Sequence, residues 1–264
     1  MTDTHPEPVR LVVADGVATI TLARPQAGNA MNMPLVDALF AQVGAVVADK
    51  TVRAILLEGE GRNFCVGGDL RAFVAEADPA GFIGALARRL HQAMRLLHEQ
   101  PVPVVIAVQG AAAGAGLGLA ASGDIVLAAR SASFTLAYGA IGLTADGGAT
   151  WLLPRLIGLR RTQEMVYAGR RLDATEAAAM GLVTRVVEDA DLATEARTVA
   201  AAIARGPTGA FGAVRGLLAA GDGTTLADQL DAEAASMQAA MAGADAQEGV
   251  AAFLERRPAR FTGA

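Results

Sequence analysis

The chain is poor in the residues that mark secreted scaffolds and nucleic-acid binders. It has one cysteine, Cys65, so no internal disulfide framework can form and a reducing compartment is indicated. Aromatic residues make up only 4%, which leaves little surface for stacking bases. The formal net charge of -5 excludes general attachment to nucleic acid or an anionic membrane, and an anionic ligand would need local arginines. His91 and His98 lie seven apart on a predicted helix, and His5 lies near the start. None has an acidic or cysteine partner at ligand spacing, so no metal site is expected and the histidines read as solvated or capped. Residues 1–8, MTDTHPEP, are polar and proline-broken, a tail without the apolar core of a signal peptide. A cytoplasmic enzyme is the expectation.

What the chain does have is apolar bulk, 53% of 264 residues, enough for one large domain or one with an appendage. Its organising stretch is Val104 to Asp124. Val104–Val108 is a β-branched run suited to a strand covered on both faces. Gln109-Gly110 breaks it, and an Ala/Gly/Leu helix is predicted from Ala113 onward. Gly114, Ala115 and Gly116 would form the first turn, whose N–H groups have no partner within the helix and form a site for an oxygen that turns negative during a reaction. Close packing for structural reasons alone is the competing reading. A membrane span over the uncharged residues 102–121 is rejected, since Pro103, Gln109 and four glycines make a poor lipid-facing helix. A dinucleotide loop is rejected because Leu119 occupies the last glycine position of G-x-G-x-x-G.

In order, Val9–Ala14 and Val17–Leu22 read as strands joined by an Asp15-Gly16 hairpin turn, followed by a helix over Met33–Lys50. A strand over Arg53–Gly59 leads into a second glycine turn, Gly61 to Leu70. A helix follows over Ala80–Glu99, then a strand over Asp124–Ala129, helices to Ile157 and over Arg160–Ala168, and a short helix from Asp173, which precedes Glu176 at capping-box spacing. After a last strand, Val183–Val187, the pattern is purely helical. The resulting division is a tail over 1–8, an α/β core over 9–190 and a helical segment over 191–264.

Five blocks in this order resemble the crotonase, or enoyl-CoA hydratase/isomerase, superfamily: RPQAGNAMN (24–32), NFCVGGDL (63–70), VQGAAAGAGLGLAASGDIVLA (108–128), IGLTADGGATWLLPRLIG (141–158) and EGVAAFLERRPARF (248–261). The resemblance implies a spiral of ββα units and a C-terminal helical segment that forms a homotrimer or a dimer of trimers. It implies an acyl-CoA thioester substrate, with coenzyme A part of the substrate and no separate cofactor. The thioester carbonyl would lie between the backbone N–H groups of Gly68 and Ala115. The loop Gln26-Ala27-Gly28 would approach the coenzyme A moiety, and Val66, Asp69, Leu70, Tyr138 and Leu143 would contact substrate. Phe134, Ile141 and Trp151 are further candidates for the acyl pocket, and Arg24, Arg62 and Arg257 for phosphate contacts; core packing and solvated arginines are the competing readings.

The departures from the family concern acid and base. Family hydratases carry two glutamates; the first maps to Gly118 and the second approximately to Tyr138, which puts two-carboxylate hydration in doubt. Asp146 remains, in a GLTADGG block similar to phenylacetate-pathway isomerases. One carboxylate suffices to move a proton between two carbons while the N–H pair holds the dienolate. Asp146 also reads as an N-cap for the helix after Gly147-Gly148. The alternatives are a hydratase with a nonstandard acid/base set, a dehalogenase-like use of Asp146 as nucleophile, and a noncatalytic acyl-CoA or RNA-binding relative.

Overall fold

The computed structural model describes residues 7–221 and 223–263, so most of the expected 1–8 tail, including His5, lies outside the described residues. The Asp-Gly hairpin forms as its residues predict. Strands β1 (Val9–Ala14) and β2 (Val17–Leu22) pair antiparallel with Ala14 opposite Val17. Asp15 and Gly16 both take positive φ, 51° and 76°, the pair of left-handed conformations that a two-residue turn between right-twisting strands requires. Helix α1 (Met33–Ala48) follows, capped by Asn32, whose side chain accepts from the Leu35 amide at 3.1 Å.

The chain then runs β3 (Ala54–Gly59), α2 (Leu70–Val74), α3 (Pro79–Glu99), β4 (Val104–Val108), β5 (Ala111–Ala113) and α4 (Ala115–Ala121). Next come β6 (Ile125–Ala129), β7 (Ser133–Thr135), α5 (Ala149–Ile157), α6 (Leu159–Tyr167), β8 (Leu172–Asp173), α7 (Ala174–Met180) and β9 (Arg185–Val187). Four helices end the chain: α8 (Leu192–Ala204), α9 (Thr208–Ala220), α10 (Leu226–Met241) and α11 (Ala244–Glu255). The Asp173–Glu176 capping box is present. Residues 102–121 divide among two strands and a short helix, and among the described residues no helix is long and apolar enough to cross a membrane.

Two sheets organise the α/β fold. The larger has the order β1-β2-β3-β4-β6-β9, parallel from β2 onward; β4 is buried along its whole length, as its unbroken apolar run requires. The smaller, β5-β7-β8, was not expected from the sequence. It is extended by isolated parallel bridges of Cys65 with Ala112 and of Met31 with Gly68. Successive turns of chain therefore lie side by side, each giving one strand to the large sheet and a short extended piece to the small one.

Helix α8, which the sequence division assigns to the C-terminal segment, packs on β3, β4 and β6 and covers the sheet. The helices free of the sheet begin with α9. Arg215 ties α9 to the core, pairing with Asp124 at 2.9 Å and donating to the carbonyls of Leu97, His98 and Gln100 at the end of α3. Beyond it, Leu218, Leu226, Met237, Phe253 and Leu254 are largely exposed.

Asn29 holds the entry to the second glycine turn. It is fully buried with φ of 57°, and its amide nitrogen donates to the carbonyls of Glu60, Asn63 and Phe64 at 3.0, 2.8 and 3.1 Å while its oxygen accepts from the Arg24 amide. Asn29→Ala removes the side-chain partner of the Glu60 and Phe64 carbonyls and of the Arg24 amide, leaves the Asn63 carbonyl only Gln109 at 3.4 Å, and places alanine in a left-handed conformation. A loss of about 3 kcal/mol is expected, read as a fall in the denaturation midpoint at unchanged slope.

Candidate active site

The ladder between turns fixes the site. Cys65 pairs with Ala112 in a parallel bridge, so Gly68 and Ala115, each three residues further on, leave the two adjacent segments in matching positions. The segments approach through their glycines. A Cβ on Gly67, at φ of 96°, would lie 3.0 Å from the Ala113 carbonyl oxygen, and one on Gly116 would lie 2.3 Å from that of Cys65. At Gly68 a Cβ would meet the Phe73 ring at 2.5 Å. Glycine is required at all three positions because backbone or ring already fills the space. The N–H groups of Gly68 and Ala115 find no acceptor among the described residues. Helix α4 begins only at Ala115, later than expected, because Ala113 belongs to β5.

Both amides border a cavity of about 300 Å³. Its walls are mostly apolar: Leu70, Phe73, Ile83, Leu86, Leu90, Leu136, Ile141 and Leu143, with Val66. The polar side chains in it are those of Tyr138 and Asp146. Tyr138 follows Ala137, a non-glycine residue with φ of 47°, and its hydroxyl donates to Asp146 Oδ1 at 2.5 Å. Burial, then the Asp146 charge, pushes the Tyr138 phenol well above its ordinary range, so the hydroxyl keeps its proton and remains a donor. The cap of α5 is Gly148, and no side chain supplies it. The N-cap reading of Asp146 is thus replaced by a carboxylate that faces the cavity and is held by a tyrosine.

Of the expected site residues, Gly68, Ala115, Asp146, Val66, Leu70, Tyr138 and Leu143 come together in this cavity. Gln26, Ala27 and Gly28 do not line it. They form a turn beside its rim, where the Gly28 carbonyl accepts from the Val66 amide at 3.1 Å. Asp69 is a correction. Its carboxylate accepts from the Arg71 and Ala72 amides at the start of α2 and pairs with Arg24 at 2.8 Å, so it belongs to the frame behind the cavity. Burial pushes its pKa up, but the Arg24 guanidinium together with the Ala72 and Arg71 amides outweighs this and holds the pKa below the usual carboxylate value. The same pair engages Arg24, and Arg257 pairs with Glu248 and Glu255 at 2.7 and 2.6 Å; Arg62 is exposed.

Two pocket candidates are also corrected. Phe134 is fully buried in the core, and Trp151 lies under the Arg155 guanidinium at 4.0 Å, bordering a second cavity of about 460 Å³. That cavity shares only Asp146 with the first and is also bordered by His91 and His98. His91, read from sequence as solvated or capped, accepts a hydrogen bond at Nε2 from the Gly147 amide, 3.1 Å away. Its partner lies 56 positions along the chain, and no local pattern announces the contact. Cys65 is a packing residue as expected: fully buried, with its thiol donating to the Asn29 carbonyl at 3.1 Å and pushed by burial up to about 12.

The carboxylate of a hydratase has no room at residue 118. A Cβ there would lie 2.1 Å from the Gly147 carbonyl oxygen. The loop carrying Asp146 has closed directly onto α4.

A family model described as enoyl-CoA hydratase/isomerase matches residues 13–264. The chain belongs to the enoyl-CoA hydratase/isomerase family. It is 41% identical over 253 residues to the 1,2-epoxyphenylacetyl-CoA isomerase of Escherichia coli, covering 95% of this chain and 97% of that one. It is also 41% identical over 255 residues to a "Probable enoyl-CoA hydratase" of Rhodobacter capsulatus, covering 97% and 98%. A solved chain from Mycobacterium abscessus that carries the hydratase/isomerase description superposes with a TM-score of 0.94 at 39% identity, over 97% of this chain and 100% of that one. The α/β architecture is accordingly the crotonase-like fold with C-terminal helices. As a member of this family the chain is an enzyme whose substrates are acyl-CoA thioesters.

Proposed function

We propose that the chain is an enoyl-CoA isomerase. The observation that carries this reading is one carboxylate, Asp146, in an apolar cavity bordered by two amides without acceptors, together with a position 118 closed to a second carboxylate. The thioester oxygen accepts from the Gly68 and Ala115 amides. Asp146 takes a proton from one carbon of the allylic unit, the electron pair moves through the conjugated system onto the carbonyl oxygen, and the resulting dienolate is held by the amide pair. Asp146 then returns the proton two carbons away, and the double bond has moved with no net change in atoms. Each donor to such an oxygen contributes about 3 to 4 kcal/mol to the transition state. Tyr138 occupies Oδ1 of Asp146 and leaves the other oxygen for the proton.

In this reading the turn Gln26-Ala27-Gly28 borders the path of the coenzyme A moiety, coenzyme A enters only as part of the substrate, and no resident cofactor takes part. The 1,2-epoxyphenylacetyl-CoA isomerase relative supports isomerisation of a ring-derived or unsaturated acyl-CoA. The exposed apolar side chains of α9 to α11 support a homotrimer or dimer of trimers, and the single cysteine supports a reducing, cytoplasmic setting. The test is a panel of 2- and 3-enoyl-CoAs and a ring-derived epoxide followed by mass and absorbance. Mass-neutral isomerisation is expected; water addition without isomerisation would make the chain a hydratase.

A further inference from the structure

Besides the Tyr138 hydroxyl on the Asp146 carboxylate, the turn that carries Asp146 is held by a side chain at the Gly147 amide. Gly147 is buried, with φ of 58°, and a Cβ there would lie 3.3 Å from both the Cα and the carbonyl oxygen of Ala115. This peptide therefore follows the carboxylate directly in the chain and packs against Ala115, whose amide is one of the two free donors. Its N–H donates to His91 Nε2 on α3, the helix whose Leu86, Ala87 and Leu90 border the same cavity. We propose that His91 is a positioning residue that holds the Asp146-Gly147 turn against α4, through an acceptor available only while the imidazole is neutral.

The chemistry of the ring makes this contact conditional. A neutral imidazole accepts at Nε2 when its proton is on Nδ1; the imidazolium has a donor at both nitrogens and accepts at neither. Protonation therefore sets N–H against N–H and releases a buried amide that has no other acceptor among the described residues. The charged or titratable groups around the ring's cavity are Arg95 and His98 on its own helix and Asp146 on the held turn. From α4 and α5 the cavity receives Ser122, Thr150 and Trp151, which carry no charge, while Arg155 lies over Trp151; Asp37 of α1 is engaged by Arg89 at 2.6 Å.

The effect on turnover rests on the isomerase reading, whereas the contact itself is tested without turnover. Wild-type kcat is expected to fall more steeply on acidification than that of His91→Gln, with KM changed less than about threefold. His91→Gln keeps an acceptor in every protonation state, and its kcat near neutrality stays within about threefold of wild type. His91→Phe fills the ring's volume without an acceptor and lowers kcat by about tenfold or more across the pH range, with KM little changed. Labelling with carbonyl-13C aspartate and 15N glycine reports only the three Asp-Gly pairs in the chain, one of them Asp146-Gly147. The Gly147 amide signal is expected to move further on acidification in wild type than in His91→Gln. A Gly147 signal that moves equally in wild type and His91→Gln, or wild-type kcat in His91→Phe, overturns the proposal. If no enoyl-CoA is isomerised while the larger movement of the Gly147 signal still requires His91, the isomerase reading falls and the hold on the turn stands.

Discussion

Asp146→Asn is expected to fold normally, to bind acyl-CoA with affinity close to wild type, and to lose double-bond migration by at least about 100-fold. Asparagine keeps Oδ1 in place for the Tyr138 hydroxyl, so the 2.5 Å bond has an acceptor in both proteins. The amide has no basic oxygen for a carbon acid's proton, and the thioester still meets the same pair of backbone donors. An interaction made only in the transition state has then been removed, and kcat falls with KM nearly constant. Single-turnover measurement with a 3-enoyl-CoA and an independent binding titration separate these quantities. Turnover near wild type would remove Asp146 from the mechanism and leave it a structural partner of Tyr138.

Gly118→Glu is expected to destabilise the protein by at least about 4 kcal/mol and to add no hydration activity, although it restores the carboxylate that family hydratases have there. The whole of α4 is buried, and the new Cβ would meet the Gly147 carbonyl oxygen at 2.1 Å. Main chain cannot rotate away as a side chain can. Relief therefore requires α4 and the Asp146 loop to separate, and a carboxylate enters a buried helix face. Denaturation and crotonyl-CoA hydration assays read the two effects. A stable Gly118→Glu protein that adds water would mean that this loop retreats freely and that lack of space does not separate this chain from hydratases.

The contrast between the two substitutions tracks what could be read from sequence. Features set by neighbours along the chain were legible: the Asp15-Gly16 turn, the buried run of β4 and the capping box at Asp173 and Glu176 all have their causes within a few residues. The small sheet was not, because Ala111–Ala113 and Ser133–Thr135 are too short to show a period and their pairing is decided between turns of chain. The site divided in the same way. Gly68, Ala115 and Asp146 were identified through motif resemblance, and the cavity contains all three. Asp69 sits beside the same glycines but turns toward α2 and Arg24, a choice made by partners that its own neighbourhood does not contain. Phe134 and Trp151 were misplaced because an apolar side chain suits a core and a cavity wall equally well. His91 was missed because a ring and an amide 56 residues apart leave no mark in either segment.

The polarising groups of this cavity belong to the main chain, whereas its breadth is set by interchangeable aliphatic side chains such as Leu70, Ile141 and Leu143. Recognition of the acyl group is thereby uncoupled from activation of the thioester. Exchanging those three residues for smaller or larger ones offers a route to new substrate ranges in which the electrophile continues to be gripped as before.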